Sequence, residues 1–188
     1  DNDLNVLDGG DQVTETITAT ATDSDGDTDT IVITITITGA NDAPTSANAA
    51  DDTDEDTLVT FANADFTFSD VDGDDSSWSR IYIAVVESSG DLECNDANGG
   101  SAGWVDCVAD WYVDAGTDLR MTPASDSVAD VTFSFMVHDG AGYSAAAYIL
   151  TTTHRAVNDH PASAAVTVAS VEDTLITYTA ANFAYSDT

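Results

Sequence analysis

Hydrophobic and polar residues alternate in several short stretches of the chain, most clearly over residues 31–38. Isoleucines at every second position share one side, and threonines occupy most of the other. This period of two predicts a β-strand whose four isoleucines face a core. Residues 13–22 alternate similarly and precede the turn at 23–27, Asp-Ser-Asp-Gly-Asp. We therefore expect 13–22 and 31–38 to form an antiparallel hairpin.

A second hairpin is predicted for residues 131–137 and 145–152, which flank a turn containing Asp139 and two glycines. No stretch shows the period of an amphipathic helix. Many short strands separated by turns, without helices, are typical of an antiparallel β-sandwich. The remaining predicted strands cover 58–61, 65–68, 80–86, 104–108 and 119–122.

An internal repeat divides the chain. Residues 54–70 and 171–187 begin 117 positions apart and are identical at nine of seventeen positions. The sequence Asn-Asp-x-Pro occurs at 41–44 and again at 158–161, with the same spacing. Two landmarks at one spacing indicate tandem units. Proline cannot donate a backbone hydrogen bond to a sheet, so Asn-Asp-x-Pro predicts a short, stiff linker between units.

The repeat predicts three segments. Residues 1–40 form the C-terminal part of an upstream unit, 41–157 a complete unit, and 158–188 the N-terminal part of a downstream unit. Neither flanking segment has enough predicted strands to bury a core by itself. We therefore expect the intact protein to continue in both directions.

The chain is strongly acidic, with 35 aspartates and glutamates against three arginines and no lysine, and its formal net charge is −32. Nucleic acid and anionic membrane surfaces would be repelled, so neither is expected as a partner. No apolar stretch approaches the length of a membrane span, so no membrane insertion is expected. Crowded carboxylates require bound divalent cations or high salt, because salt screens only the longer-range repulsions.

Two cysteines, Cys94 and Cys107, flank a turn at 95–100 that is rich in glycine, asparagine and aspartate. A disulfide across this loop would add about 3 kcal/mol of stability. Two buried free thiols are the alternative. We favour the disulfide because the other signals indicate a location outside the cell.

Several motifs together resemble the tandem VCBS and cadherin-like repeats of large bacterial adhesins. They are the acidic turn at 23–27 with the strand and linker at 33–44, and the segments 55–57 and 66–74. The resemblance is weakest over 87–117. It implies an extracellular stalk of rigidly linked immunoglobulin- or cadherin-like β-sandwiches with calcium at the junctions.

Calcium ligands are the main candidate chemistry. The Asp-x-Asp-Gly-Asp turns at 23–27 and 70–74 each place three carboxylates on alternate residues, and calcium takes six to eight oxygen ligands. The resemblance implies that linker Asn and Asp residues, an acidic pair of the next unit and such a turn converge on interdomain ions. The alternative is a set of solvated turns closed by their own side chains. The candidate Ca²⁺ ligands are Asp23, Asp25, Asp27, Asn41, Asp42, Glu55, Asp56, Asp70, Asp72, Asp74, Asp139, Asn158, Asp159, Glu172, Asp173 and Asp187.

Other functions compete with calcium binding. An exposed aromatic platform could stack on a surface glycan, as in a carbohydrate-binding module, although large aromatics also fill cores. Acids occur throughout the chain and no catalytic pair stands out, so no enzymatic activity is expected. The residues of the candidate platform are Trp78, Trp104, Trp111 and Tyr112.

The sequence thus predicts an extracellular or cell-surface stalk segment that spaces an adhesive end from the surface. Calcium would fix the angle between neighbouring repeats of the same protein. A filament that self-assembles through homotypic contacts is an alternative that the sequence does not separate from a stalk.

Overall fold

β-Strands account for almost all regular structure in the computed structural model, which describes residues 4–72, 76–95, 103–116 and 119–187. Short 3-10 turns occur at Leu4–Val6, Asn63–Asp65 and Ala180–Asn182. The strands are β1 (Gln12–Thr22), β2 (Thr28–Thr38), β3 (Ala49–Asp54), β4 (Val59–Phe61), β5 (Arg80–Val85), β6 (Asp91–Asn95), β7 (Trp104–Asp106), β8 (Tyr112–Asp114), β9 (Leu119–Thr122), β10 (Val131–His138), β11 (Tyr148–Arg155), β12 (Ala162–Ser163) and β13 (Tyr185–Ser186).

Two sheets form the central unit, by which we mean residues 41–157. One sheet has the strand order β3-β11-β10-β5-β8, and the other has the order β4-β9-β6-β7. Along β10, buried residues alternate with half-buried ones, and the buried face carries Val131, Phe133, Phe135 and Val137. This is the pattern of a strand with one face on a core.

Aromatic side chains join the two sheets in one hydrophobic core. Phe61 of β4 meets Phe133 of β10 edge to face, with ring centroids 5.6 Å apart, and Phe66 meets Phe135 at 5.0 Å. Trp78 is also buried, and its indole N–H donates a hydrogen bond to the carbonyl oxygen of Phe66 at 3.2 Å. The prediction of an all-β fold is confirmed.

A disulfide links Cys94 of β6 to Cys107, just beyond β7, with the two Cα atoms 5.3 Å apart. Both cysteines are buried in the core, and the backbone N–H of Cys107 donates to the carbonyl oxygen of Leu92. The predicted bridge is therefore present. Most of the turn that it encloses, residues 96–102, lies outside the described residues.

One edge of the larger sheet differs from the antiparallel prediction, because β3 pairs with β11 in parallel from Leu150↔Ala49 to Arg155↔Asp54. The chain enters the central unit beside the end of β10 and runs along β11 in the same direction. Glu55 therefore lies beside the end of β11, where its backbone N–H donates to the carbonyl oxygen of Arg155. The two ends of this sheet carry different groups of acidic residues.

The predicted N-terminal hairpin is present as β1 and β2, which pair from Gln12↔Thr38 to Thr22↔Thr28. Its isoleucines are not on a core, contrary to prediction: Ile31 is 63% exposed and Ile33 is 46% exposed. The two strands form a sheet of their own, and of Ile31, Ile33, Ile35 and Ile37 only Ile37 is partly buried.

The predicted strand at 65–68 is wrong. The carboxylate of Asp65 accepts a hydrogen bond from the backbone N–H of Ala62 at 2.7 Å, which closes the 3-10 turn Asn63–Asp65. The turn places Phe66 in the core, and the described residues among 66–79 form no strand.

Candidate metal centre

Five predicted ligands come together where the N-terminal hairpin joins the central unit. We call Asn41, Asp42, Asp70, Asp72 and Asp139 the upstream cluster. Asn41 and Asp42 follow β2. Asp70 and Asp72 belong to the loop after the isolated bridge between Thr45 and Ser69, and Asp139 begins the turn after β10. Three segments far apart in the sequence thus contribute residues to the upstream cluster.

Hydrogen bonds connect the members of the upstream cluster. The side-chain amide of Asn41 donates to Oδ2 of Asp139 at 3.2 Å. The backbone N–H of Asp42 donates to Oδ2 of Asp72 at 2.9 Å, and the backbone N–H of Asp72 donates to Oδ1 of Asp70 at 3.0 Å. The carboxylates of Asp70, Asp72 and Asp139 are therefore each held in place by an amide donor.

Burial leaves part of the upstream cluster without partners. Asp72 is 4% exposed and Asp139 is 7% exposed. Among the described residues, no hydrogen-bond donor reaches the buried atoms Asn41 Oδ1, Asp70 Oδ2 or Asp72 Oδ1. Burying a charged carboxylate oxygen without a hydrogen-bond partner costs more free energy than burying a neutral polar atom in the same way. These three oxygens are the unpartnered acceptors of the upstream cluster.

The arginines do not supply this positive charge. The chain has three lysine or arginine residues in total, and each forms ion pairs elsewhere. Those pairs join Arg80 to Asp114, Arg120 to Glu93, and Arg155 to Asp52 and Asp54.

Asp139 is stabilised as a carboxylate. Burial by itself disfavours its charge, but Oδ1 accepts hydrogen bonds from the backbone N–H groups of Gly142 and Ala141, both at 2.6 Å. With the amide of Asn41 and the nearby His138, these donors outweigh burial and lower the pKa of Asp139 below its ordinary value. A cavity of about 220 Å³ adjoins this carboxylate and is lined by Asp8, Gly9, Asn41, Asp139, Gly140 and Ala141.

A second group of acids lies at the opposite end of the larger sheet. We call Glu55, Asp56, Asp126 and Asp159 the downstream cluster. Carboxylate oxygens of the three aspartates lie within 4.8 Å of one another, and the backbone N–H of Asp126 donates to Oδ1 of Asp56 at 3.0 Å. Glu55 is 7% exposed, and its Oε1 accepts a hydrogen bond from the backbone N–H of Val157 at 2.8 Å. The three aspartates could hold a metal ion.

The backbone at the downstream cluster is unusual for aspartate. Asp56 has a φ of 57° and Asp126 has a φ of 54°, both in the left-handed region that few residues other than glycine, asparagine and aspartate adopt. Asp173, the repeat equivalent of Asp56, has a φ of 59°. The same local geometry therefore recurs in the downstream segment.

The structure divides the predicted ligands between the two clusters. Asn41 and Asp42 lie with Asp70, Asp72 and Asp139 in the upstream cluster. Glu55 and Asp56 lie in the downstream cluster, beside the next predicted linker. The sequence analysis did not identify Asp126 or Asp8. Neither belongs to an Asp-x-Asp motif. The folded structure places Asp126 near Asp56 and Asp159, and Asp8 beside the cavity that Asn41 and Asp139 line.

The remaining candidates lie outside both clusters. In the turn between β1 and β2, the Asp23 carboxylate accepts hydrogen bonds from the backbone N–H groups of Asp25 and Asp27, at 3.0 and 2.9 Å. The amide of Asn158 donates to the carbonyl oxygen of Asp159. Asp74 lies outside the described residues, and the other members of the set, all exposed, are Glu172, Asp173 and Asp187.

The candidate glycan platform is dispersed. Trp78 is 6% exposed and cannot stack on a sugar. The guanidinium of Arg120 covers one face of Trp104 at 3.9 Å from the ring centroid, and Arg80 covers Tyr112 at 4.4 Å. Trp111 packs against the core.

Within the described part of the chain, no helix has the length and apolar character needed to cross a membrane. No protein-family model matches the chain, and no curated protein matches it.

Proposed function

We propose that this chain is a structural segment of an extracellular surface protein, built from tandem immunoglobulin- or cadherin-like β-sandwiches whose junctions bind calcium. The observation that supports the proposal is the upstream cluster beside the predicted linker, where the buried atoms Asp70 Oδ2 and Asp72 Oδ1 have no described hydrogen-bond partner. The role is mechanical rather than catalytic.

The sandwich assignment rests on the arrangement of the central unit. Two sheets of five and four strands contribute buried side chains to one core. The first strand, β3, pairs in parallel with the last, β11, while the other pairings within the unit are antiparallel. Such an arrangement leaves the entry and exit of the unit at opposite ends, which suits units joined in a row.

The chemistry of the ligands favours calcium over transition metals. The upstream cluster offers carboxylate oxygens and the amide oxygen of Asn41, and the downstream cluster offers carboxylate oxygens, which are ligands that calcium prefers. The cysteines form a disulfide, and thiolate or imidazole ligands, which zinc prefers, are not among the members of either cluster. Magnesium would require a stricter octahedral geometry.

Calcium in the upstream cluster would bind the linker to two loops of the central unit at once. The position of Asn41 and Asp42 relative to these loops would then be fixed further. Extracellular modules bind calcium with a Kd of about 10⁻⁴–10⁻³ M, so the sites would fill outside the cell and remain mostly empty in the cytosol. The disulfide also suits an oxidising compartment.

Isothermal titration calorimetry of the full chain with CaCl₂ tests the proposal. We expect binding in the range of extracellular modules, with heat lost selectively in two double variants. Asp70→Asn with Asp72→Asn would remove the upstream sites, and Asp56→Asn with Asp126→Asn would remove the downstream site.

Asp25→Asn provides the matched control, because this exposed acid lies in neither cluster. It should bind calcium as the wild type does. Absence of saturable calcium binding by the wild type, or equal losses in the control and both double variants, would contradict the proposal.

A further inference from the structure

The central unit contains an open cavity that neither acidic cluster uses. Its volume is about 500 Å³, larger than that of the cavity beside Asp139. Pockets that take small ligands measure about 300–1,000 Å³. The lining residues that could contact a ligand are Asn63, Phe66, Phe68, Ser76, Ser77 and Trp78.

The cavity belongs to the predicted complete unit. Its walls come from residues 63–68 after β4, from residues 76–78 before β5, and from Ala115 after β8. All of these residues lie between the predicted linkers at 41–44 and 158–161, and none is a member of the upstream or downstream cluster. The cavity is therefore a feature of the central unit and not of an incomplete flanking segment.

Buried aromatic rings form the floor of the cavity. Phe66 is 4% exposed and Trp78 is 6% exposed, and their rings meet edge to face with centroids 6.1 Å apart. Phe66 also packs on Phe135 of β10. The core therefore holds the floor in place, and a ligand would not bear the cost of ordering it.

Phe68 is the aromatic residue that a ligand can reach. Its side chain is half-buried, packs against the core on one side and lines the cavity. An aromatic ring that is fixed in this way offers a flat apolar surface on which the apolar face of a ligand can stack.

Neutral polar side chains stand around this aromatic surface. Asn63, Ser76 and Ser77 are exposed, and their side chains form no described hydrogen bond. An amide and a hydroxyl can each donate and accept hydrogen bonds. They therefore suit a ligand whose own groups also do both, which is the property of an alcohol or a sugar.

The charge of the lining narrows the class of ligand. Among the described residues that line the cavity, none is charged, although the chain carries 35 acidic and three basic residues. A cationic ligand would find no carboxylate partner in the cavity. An anionic ligand would find no cation there and would be repelled by the net charge of −32. The lining therefore favours a neutral ligand.

We propose that this cavity binds a neutral pyranose sugar, with one face of the sugar ring on Phe68 and its hydroxyl groups on Asn63, Ser76 and Ser77. A pyranose combines an apolar face of C–H groups with hydroxyl groups along its edge, as the lining requires. The site differs from the dispersed set of tryptophans described above. It does not depend on calcium and adds a binding function to the mechanical role proposed above.

Saturation-transfer-difference NMR of the full chain in EDTA is the first test. The probes are the methyl β-glycosides of D-glucose and D-galactose and the methyl α-glycoside of D-mannose. We expect saturable binding of at least one of them with a Kd in the millimolar range, because a ligand of so few atoms gains little binding energy. Hydrogens on one face of the sugar ring should receive more saturation from aromatic protons than those on the other face.

Two further arms test the class and the source of the ligand. Methyl β-D-glucuronide, which differs from the glucoside by a carboxylate, should bind at least about fivefold more weakly because of charge repulsion. Free D-glucose, D-galactose and D-mannose are titrated as well. Binding of the methyl glycosides would assign the cavity to the terminal sugar of a glycan, and binding of the free hexoses alone would assign it to a free sugar.

Two variants test the named contacts. Phe68→Leu keeps an apolar side chain but removes the aromatic face, and it should weaken binding at least about fivefold and abolish the difference between the ring faces. Ser77→Ala removes one hydroxyl from an exposed position and should weaken binding about two- to tenfold without affecting the fold. Ser125→Ala is the matched control, because this exposed serine lies outside the cavity, and it should bind as the wild type does.

Absence of saturable binding by every neutral sugar, or equal Kd values for the wild type and both variants, would overturn the proposal. Equal or tighter binding of the glucuronide would contradict the assignment to a neutral ligand. Because the titrations are run in EDTA, their failure would leave the calcium proposal intact. Absence of calcium binding would likewise leave this proposal intact.

Discussion

Replacing Asp72 with asparagine removes one negative charge from the upstream cluster and preserves the shape of the side chain. The oxygen that accepts the backbone N–H of Asp42 is retained, and an NH₂ group takes the place of the buried, unpartnered Oδ1. The new donor can pair with a neighbouring orphan acceptor. The substitution therefore has opposite effects with and without calcium.

The change in stability without calcium follows from the burial of Asp72. A buried polar atom without a partner costs about 1–3 kcal/mol. Relieving that cost at Asp72, which is 4% exposed, should stabilise the calcium-free protein by a similar amount. For a unit of this size, the gain corresponds to a rise in Tm of about 3–10 °C.

The change in stability with calcium follows from the linkage between calcium binding and folding. At a calcium concentration of about 10 mM, a site with a Kd of about 10⁻⁴–10⁻³ M stabilises the wild type by about 1.4–2.7 kcal/mol. Asp72→Asn should lose at least about half of this increment, because a charged ligand has become neutral. The Tm difference between calcium and EDTA should therefore be smaller for Asp72→Asn than for the wild type, because the variant is more stable in EDTA and gains less from calcium.

Differential scanning calorimetry of the wild type and of Asp72→Asn, in EDTA and in calcium, measures all four values. Asp25→Asn is the control, and its stability should stay within about 0.5 kcal/mol of the wild type in both conditions. A lower Tm for Asp72→Asn in EDTA, together with an unchanged calcium increment, would show that Asp72 is a structural acceptor and not a calcium ligand.

Three further predictions concern stability. Replacing Cys94 and Cys107 with serine should lower the free energy of unfolding by about 3 kcal/mol in urea titrations, and no loss would show that the disulfide does not constrain the unfolded chain. Phe135→Ala should cost about 3–5 kcal/mol in the same assay because the ring is fully buried, and a loss below 1 kcal/mol would contradict the described core. The pKa of Asp139 is lower in the folded state, so its contribution to stability is present above the unfolded-state pKa and is lost as the pH falls through the folded-state pKa. In EDTA, acid unfolding should therefore be less steep for Asp139→Asn than for the wild type, and identical pH profiles would contradict this assignment.

The strands with strong alternation could be predicted from sequence, and those without it could not. β10 alternates clearly and was predicted to within one residue. β3 has the sequence Ala-Ala-Asp-Asp-Thr-Asp, which contains few residues that favour strands. It is extended because β11 offers it an edge to pair with, and such tertiary pairing has no local signal.

Burial was harder to predict than strand formation. β2 has the most regular alternation in the chain, yet Ile31 and Ile33 are exposed. Alternation shows that a strand has an apolar face but does not show what covers that face. The cover depends on segments that are distant in sequence or belong to another molecule.

The spatial grouping of the candidate ligands differs from the grouping predicted from sequence. Asp70, Asp72 and the linker pair were identified because they form short acidic motifs, and they do meet in space. Glu55 was expected with them, but the parallel direction of β3 places it at the other end of the sheet. Asp126 belongs to no Asp-x-Asp motif that could have identified it.

Thermal unfolding of the full chain in EDTA, in millimolar CaCl₂ and in NaCl of matched ionic strength tests the central claim most directly. Specific ions in the two clusters predict a large rise in Tm with calcium and little change with NaCl, since ordinary salt screens charge without occupying the sites. An equal rise in NaCl and CaCl₂ would contradict the claim, and the acidic clusters would then be a surface adapted to high salt.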